Sequence, residues 1–151
     1  MEKVHFCYFT ETLEKELRIT RKDINKRFIY KKTALHIAAE RDLLEAAKWL
    51  INEGADLEAK ATGQLTPLHW AAKGDSVGVA SLLIGHGAEM DAKTISGRTP
   101  LHSAAYFNHL QVARLLVDNG ANKNIKDSYG KKPIDVAIHL DRSSEITALL
   151  Q

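Results

Sequence analysis

Thr66-Pro67-Leu68-His69-Trp70-Ala71-Ala72 decides how this chain is read. The stretch returns downstream as Thr99-Pro100-Leu101-His102-Ser103-Ala104-Ala105 and upstream as Thr33-Ala34-Leu35-His36-Ile37-Ala38-Ala39. A degraded copy follows as Lys132-Pro133-Ile134-Asp135-Val136-Ala137-Ile138. The copies begin at 33, 66, 99 and 132, a constant period of 33 residues. A period of this length describes stacked units that bury their apolar faces on one another, not a single closed core.

Each unit carries its own start and stop signals. Thr66 suits a helix N-cap, and Pro67 suits the first helical position, where a missing N–H costs nothing. The first helix is short, ending near Lys73, and Ala71 and Ala72 are small enough to let helices pack closely. A second helix runs roughly from Ser76 to His86, with Val79, Ala80, Leu82 and Leu83 as its apolar face. Gly87 can then adopt a left-handed C-cap, as can Gly54 and Gly120 in the other units. An extended segment follows, with turns near Ser96-Gly97 and Tyr129-Gly130. Gly63 stands one place early in this register and predicts a different turn.

The T-P-L-H-x-A pattern at this period resembles the ankyrin repeat. The resemblance implies an all-α solenoid of stacked helix-turn-helix units with projecting β-hairpin-like fingers. It covers Thr33 to the end of the sequence closely and the first segment loosely. Residues 1–151 then form one ankyrin repeat domain: a divergent N-terminal cap at 1–32, repeats at 33–65, 66–98 and 99–131, and a C-terminal cap repeat at 132–151. The period extends backwards, since Asp23-Ile24-Asn25 stands in frame with Asp56-Leu57-Glu58 and Glu89-Met90-Asp91. In the same frame, Leu13 and Leu17 form an i, i+4 apolar pair that suits a second helix. One departure recurs. The family's usual glycine between the two helices is replaced by Asp42, Asp75, Asn108 and Asp141. These residue types best tolerate the left-handed region, so the turn is expected to survive at a modest strain.

The sequence offers little catalytic chemistry. His36, His69 and His102 hold equivalent places in successive units, about 10 Å apart if helices pack at the usual distance. A metal needs ligands about 2 Å from one point, so these imidazoles do not converge on one. The resemblance gives them a structural role, hydrogen-bonded to the Thr of their own motif or to adjacent backbone. Gly85-His86-Gly87 follows a helix and precedes no Lys-Ser/Thr, so it fails as a phosphate loop. Cys7 is the single cysteine, which excludes an intramolecular disulfide. With His5 it makes a pair by proximity alone. The expectation is a non-enzymatic protein with no cofactor and no metal. No apolar run reaches the ~20 residues of a membrane span, and the N-terminus lacks a signal-peptide pattern. These features point to an intracellular protein, cytoplasmic by preference and with the nucleus also open.

Variation between units marks the binding face. The resemblance places it on the fingers and on the two residues after each paired alanine. The equivalent pairs there are Glu40-Arg41, Lys73-Gly74, Tyr106-Phe107 and His139-Leu140. The residues expected to bind a partner are Tyr30, Trp70, Arg98, Tyr106, Phe107, Tyr129, Lys131 and His139. Five of them, Tyr30, Trp70, Tyr106, Phe107 and Tyr129, are aromatics out of ten in the chain. Aromatics and Arg are the usual anchors of interfaces. For Trp70 a packing role between repeats is an equal alternative. The expected partner is another protein, bound on the concave face by a monomer that acts as adaptor, inhibitor or sequestering factor. A second reading comes from charge. Residues 1–32 hold nine basic and five acidic side chains, whereas the remainder holds twelve and fourteen. That basic segment could dock on acidic lipid or nucleic acid. It is the weaker reading, because a nucleic-acid footprint is usually more basic and more clustered.

Overall fold

The computed structural model describes residues 20–151. Eight α-helices are present among them, in four pairs: α1 (Ala34–Glu40) with α2 (Leu44–Asn52), α3 (Pro67–Gly74) with α4 (Val77–Gly85), α5 (Pro100–Phe107) with α6 (Leu110–Asp118), and α7 (Pro133–His139) with α8 (Ser144–Leu150). The odd-numbered helices pack on one another in one row and the even-numbered helices in a second row. The expected N-terminal helix around Leu13 and Leu17 lies outside the described residues, as do His5 and Cys7.

The core runs through the stack as columns of equivalent residues. Leu35, Leu68 and Leu101 form one column and Leu50, Leu83 and Leu116 another, all but inaccessible to water. Between them sit the fully buried pairs Ala38-Ala39, Ala71-Ala72 and Ala104-Ala105. Alanine lets the helical backbones approach while costing no side-chain entropy. The closest approach is at Gly74, where an added Cβ would fall inside the van der Waals shell of the Glu40 carbonyl oxygen.

The motif histidines do two jobs. Nδ1 of His36, His69 and His102 accepts the backbone N–H of Thr33, Thr66 and Thr99 at 3.0, 3.2 and 3.1 Å. This is the reciprocal half of a capping box, with imidazole in the place usually held by Glu. Because Nδ1 accepts, the proton belongs on Nε2. Nε2 then donates to the carbonyls of Leu65, Arg98 and Lys131, 29 residues onward, at 3.0, 3.0 and 2.9 Å. Each imidazole thus fastens a helix start to the base of the following finger. In the degraded fourth copy Asp135 performs only the capping half, accepting from the Lys132 N–H at 2.8 Å.

The inter-helix turns are left-handed as expected, with φ of 53° at Asp42 and Asp75, 61° at Asn108 and 51° at Asp141. Two of these residues reach into the next pair. Asp42 Oδ1 accepts the Val79 N–H at 3.0 Å, in the first turn of α4. Asn108 Oδ1 accepts the Ser143 N–H at 3.1 Å, at the start of α8. Glycine would fit the turn with less strain but could not cap the neighbouring helix. A third set of links carries the period back before residue 33. Asn25, Glu58 and Asp91 accept the backbone N–H of Asp56, Glu89 and Asn122, each 31 residues onward.

Three outcomes follow from this packing. Leu83→Ala should lower the unfolding free energy by about 2–5 kcal/mol, and Leu116→Ala, in the same buried column, by a similar amount. Urea titration checks both. Gly74→Ala should cost ~1–3 kcal/mol through backbone displacement between α1 and α3; a neutral result would place that contact wrongly. Burial holds the pKa of His36 and His69 down at about 4 and also lowers that of His102. The unfolded chain therefore binds more protons than the folded one below the ordinary value of about 6.5. Stability should hold above that pH and fall as pH drops from there toward 4, each of His36 and His69 contributing on the order of 3 kcal/mol across the window. His69→Gln should be less stable at pH 8 yet show a flatter decline.

Candidate partner-binding surface

Four turns project beside the starts of the odd-numbered helices. Each closes on a backbone bond across its base: Phe28 N to Lys32 O at 2.7 Å, and Ala61 N to Leu65 O, Thr94 N to Arg98 O and Asp127 N to Lys131 O at 2.9 Å. These are the expected fingers, but they carry no strand among the described residues. The chain reverses after a single bonded pair and re-enters a helix at once, which leaves no length for a ladder. Neighbouring fingers are tied through Ile95 N to Gly63 O and Ser128 N to Ser96 O, both 2.9 Å. The early glycine does alter its turn. Gly63 and Gln64 are both left-handed, whereas Gly97 and Gly130 are so without a left-handed neighbour.

Two columns face each other across this surface. Lys32, Leu65, Arg98 and Lys131 stand at the finger bases. Glu40, Lys73, Tyr106 and His139 stand near the ends of the first helices. Lys32 Nζ meets Glu40 at 2.7 Å, and the Arg98 guanidinium lies 5.7 Å from the Tyr106 ring centroid. Tyr106 meets Phe107 edge to face at 5.0 Å, and Phe107 stacks on His109 at 5.9 Å. Between the second and third fingers these groups border a groove of about 270 Å³, lined by Leu65, Lys73, Ile95, Arg98, Tyr106 and Phe107 among others.

Arg98 is held from below. Its Nε donates to Asp127 Oδ2 at 3.4 Å, while Asp127 Oδ1 accepts from Tyr129 N and Lys131 N at 2.9 and 3.0 Å. Desolvation works to raise the Asp127 pKa, but the two backbone donors and the guanidinium outweigh it and keep the carboxyl below its usual range. The Asp127 side chain is fully buried, whereas that of Arg98 keeps 35% of its surface in water.

The structure brings Arg98, Tyr106 and Phe107 into that one groove. Tyr30 lines a separate hollow with Phe28, Ile37 and Glu40. Tyr129 is 73% exposed at the tip of the last finger, and His139 is exposed at the end of α7. Trp70 departs from a binding role. It is only 8% exposed, and the ammonium groups of Lys32 and Lys73 lie 3.7 and 4.5 Å from its ring centroid. A ring stacked under two cations supports them and presents little face to a partner. Lys73 and Ile95, the latter 76% exposed, also line the groove, although they are not among the eight residues singled out above. Their signal was available, as a lone cation in the column after the paired alanines and an apolar residue at a turn tip. Ile138, 61% exposed, occupies the place where Ala39, Ala72 and Ala105 are buried.

Three of the six described basic residues before the first repeat are engaged in the fold. Arg21 pairs with Glu53 at 2.8 Å. Arg27 donates to the carbonyls of Lys31 and Lys60, and Lys32 holds Glu40. Lys15 and Arg18 lie outside the described residues. Among the described residues no group of His, Cys, Asp or Glu could hold a metal ion, and no helix is long and apolar enough to cross a membrane.

No curated protein matches the chain. A family model described as ankyrin repeats (3 copies) matches residues 7–94 and 78–151. Members of that family serve generally as protein–protein interaction modules. With helix pairs at a 33-residue period, capping histidines in three of four motifs and a family match from residue 7 to the last, this chain belongs to the ankyrin repeat family.

Proposed function

We propose that this domain binds a partner protein across the fingers and first helices, without enzymatic activity, as adaptor, inhibitor or sequestering factor. The observation that carries the reading is the groove walled by Arg98, Tyr106 and Phe107. Tyr106 is 40% exposed although it sits on a helix whose neighbouring residues, Ala104 and Ala105, are fully buried. Half-buried aromatics on a rigid base lose little entropy on binding, and such groups make the strongest anchors. Tyr129 and Lys131 extend the same face along the stack, and Tyr30 and His139 lie at its ends. Within this reading residues 1–32 act as the N-terminal cap, 33–65, 66–98 and 99–131 as repeats, and 132–151 as the C-terminal cap. The protein acts as a monomer.

The basic first segment carries less weight as a lipid or nucleic-acid site. Arg21, Arg27 and Lys32 make contacts inside the domain, which draws three of the segment's nine cations away from a polyanion.

Affinity capture from a native lysate tests the face. Tyr106→Ala should weaken the principal captured protein by about 30-fold, the loss of one anchor worth ~2 kcal/mol, and the added Phe107→Ala should weaken it further. Circular dichroism should report a folded domain in both. A captured protein that binds the double variant as well as wild type would remove this face from consideration.

A further inference from the structure

We propose that the groove between the second and third fingers takes an extended acidic segment of the partner protein; this rests on the protein-binding reading above and specifies the partner's chemistry. The charge along the two facing columns carries it. At the first rung Lys32 and Glu40 neutralise each other at 2.7 Å. Beyond that rung the columns read Leu65 and Lys73, Arg98 and Tyr106, Lys131 and His139, without one carboxylate. Lys73 forms no ion pair among the described residues, and its ammonium rests 4.5 Å from the Trp70 ring centroid. Arg98 meets Asp127 through Nε alone, so among the described residues its two Nη groups remain for another acceptor. Asp127 itself is fully buried and holds Tyr129 N and Lys131 N, so it balances part of the Arg98 charge without offering an oxygen to the groove. Asp135, on α7, is occupied in capping Lys132.

The apolar wall decides between anions. Leu65, Ile95, Tyr106 and Phe107 interleave with the cations. A phosphate chain needs contiguous cations and gains nothing from Leu65 and Ile95, whatever its bases gain by stacking on Tyr106 and Phe107. A peptide with both acidic and apolar side chains satisfies both. Spacing sets its pattern. Equivalent cations in adjacent repeats, such as Arg98 and Lys131, stand about 10 Å apart. An extended chain rises about 3.3 Å per residue. Acidic side chains about three residues apart therefore match them, with apolar residues between.

The test is selection of a displayed random dodecapeptide library on the whole domain, then anisotropy with the enriched peptides, fluorescein-labelled. The expected winners carry Asp or Glu at about three-residue spacing. Their affinity should fall about tenfold with Lys73→Glu and again with Lys131→Glu, which leaves Trp70 untouched, and should fall as salt rises. Winners that are lost on Tyr106→Ala but are neutral or basic, and indifferent to Lys73→Glu, would overturn the acidic assignment and leave the protein-binding face standing. Winners indifferent to both Tyr106→Ala and Lys73→Glu, or no winners at all, would overturn both. Displacement of the peptide by a 20-nucleotide single-stranded DNA or by phosphatidylserine vesicles, at concentrations below that of the unlabelled peptide, would replace the acidic peptide with a polyanion or membrane.

Discussion

The imidazole that bonds at both of its nitrogens is the contact on which the stack depends. His36, His69 and His102 are wholly buried, and a buried polar group is tolerable only when it is satisfied. Each meets this condition by joining two things the chain must hold together: the open N-terminus of a helix and the carbonyl at the base of the next finger. The geometry requires the neutral ring with hydrogen on Nε2. A second proton would face the Thr N–H that Nδ1 now accepts. Burial and geometry therefore favour the same protonation state, and the same ring caps a helix through Nδ1 and holds the finger that follows it through Nε2.

Polar groups that satisfy backbone far along the chain recur at three levels of the stack. The histidines fasten each helix start to the finger that closes the same unit, whereas Asn25, Glu58 and Asp91 in the loops, and Asp42 and Asn108 at the inter-helix turns, reach backbone in the following unit. These links explain why such a scaffold tolerates a thin core built largely of alanine. They also explain the replacement of glycine at the Asp42 and Asn108 turns. Left-handed Asp or Asn is mildly strained, but it supplies an acceptor to a helix start that would otherwise lack one. Backbone strain within one unit is offset by capping in the next.

That division of labour leaves one face open to variation. Positions that point into the stack are Leu, Ala, Thr and His in every central repeat. Positions on the finger bases and after the paired alanines vary freely between Lys, Leu, Arg, Glu, Tyr and His, because nothing in the scaffold needs them to be alike. The consequence is a surface whose chemistry is nearly independent of its support. The aromatic pair Tyr106-Phe107 and the uncompensated cations Lys73 and Lys131 are carried on it at fixed spacing.

Residue types and their spacing alone determined the period, the helix pairs and the glycine C-caps, because these are local consequences of capping, periodicity and backbone preference; the structural use of the histidines and the place of the inter-helix turns came from the resemblance to the ankyrin family. The sequence also indicated which columns vary. Only the tertiary structure decided which members of those columns meet. Trp70 lies within one copy of the motif and Tyr106 directly after another, but Trp70 lies under Lys32, a residue of the finger two units earlier in the chain, whereas Tyr106 borders open space beside Arg98. The second bond of each histidine, the reach of Asp42 to Val79 and the burial of Asp127 beneath Arg98 were invisible for the same reason. Each depends on a partner 29 or more residues away in the chain, and burial at such contacts is set by what the stack places opposite, not by the residue itself.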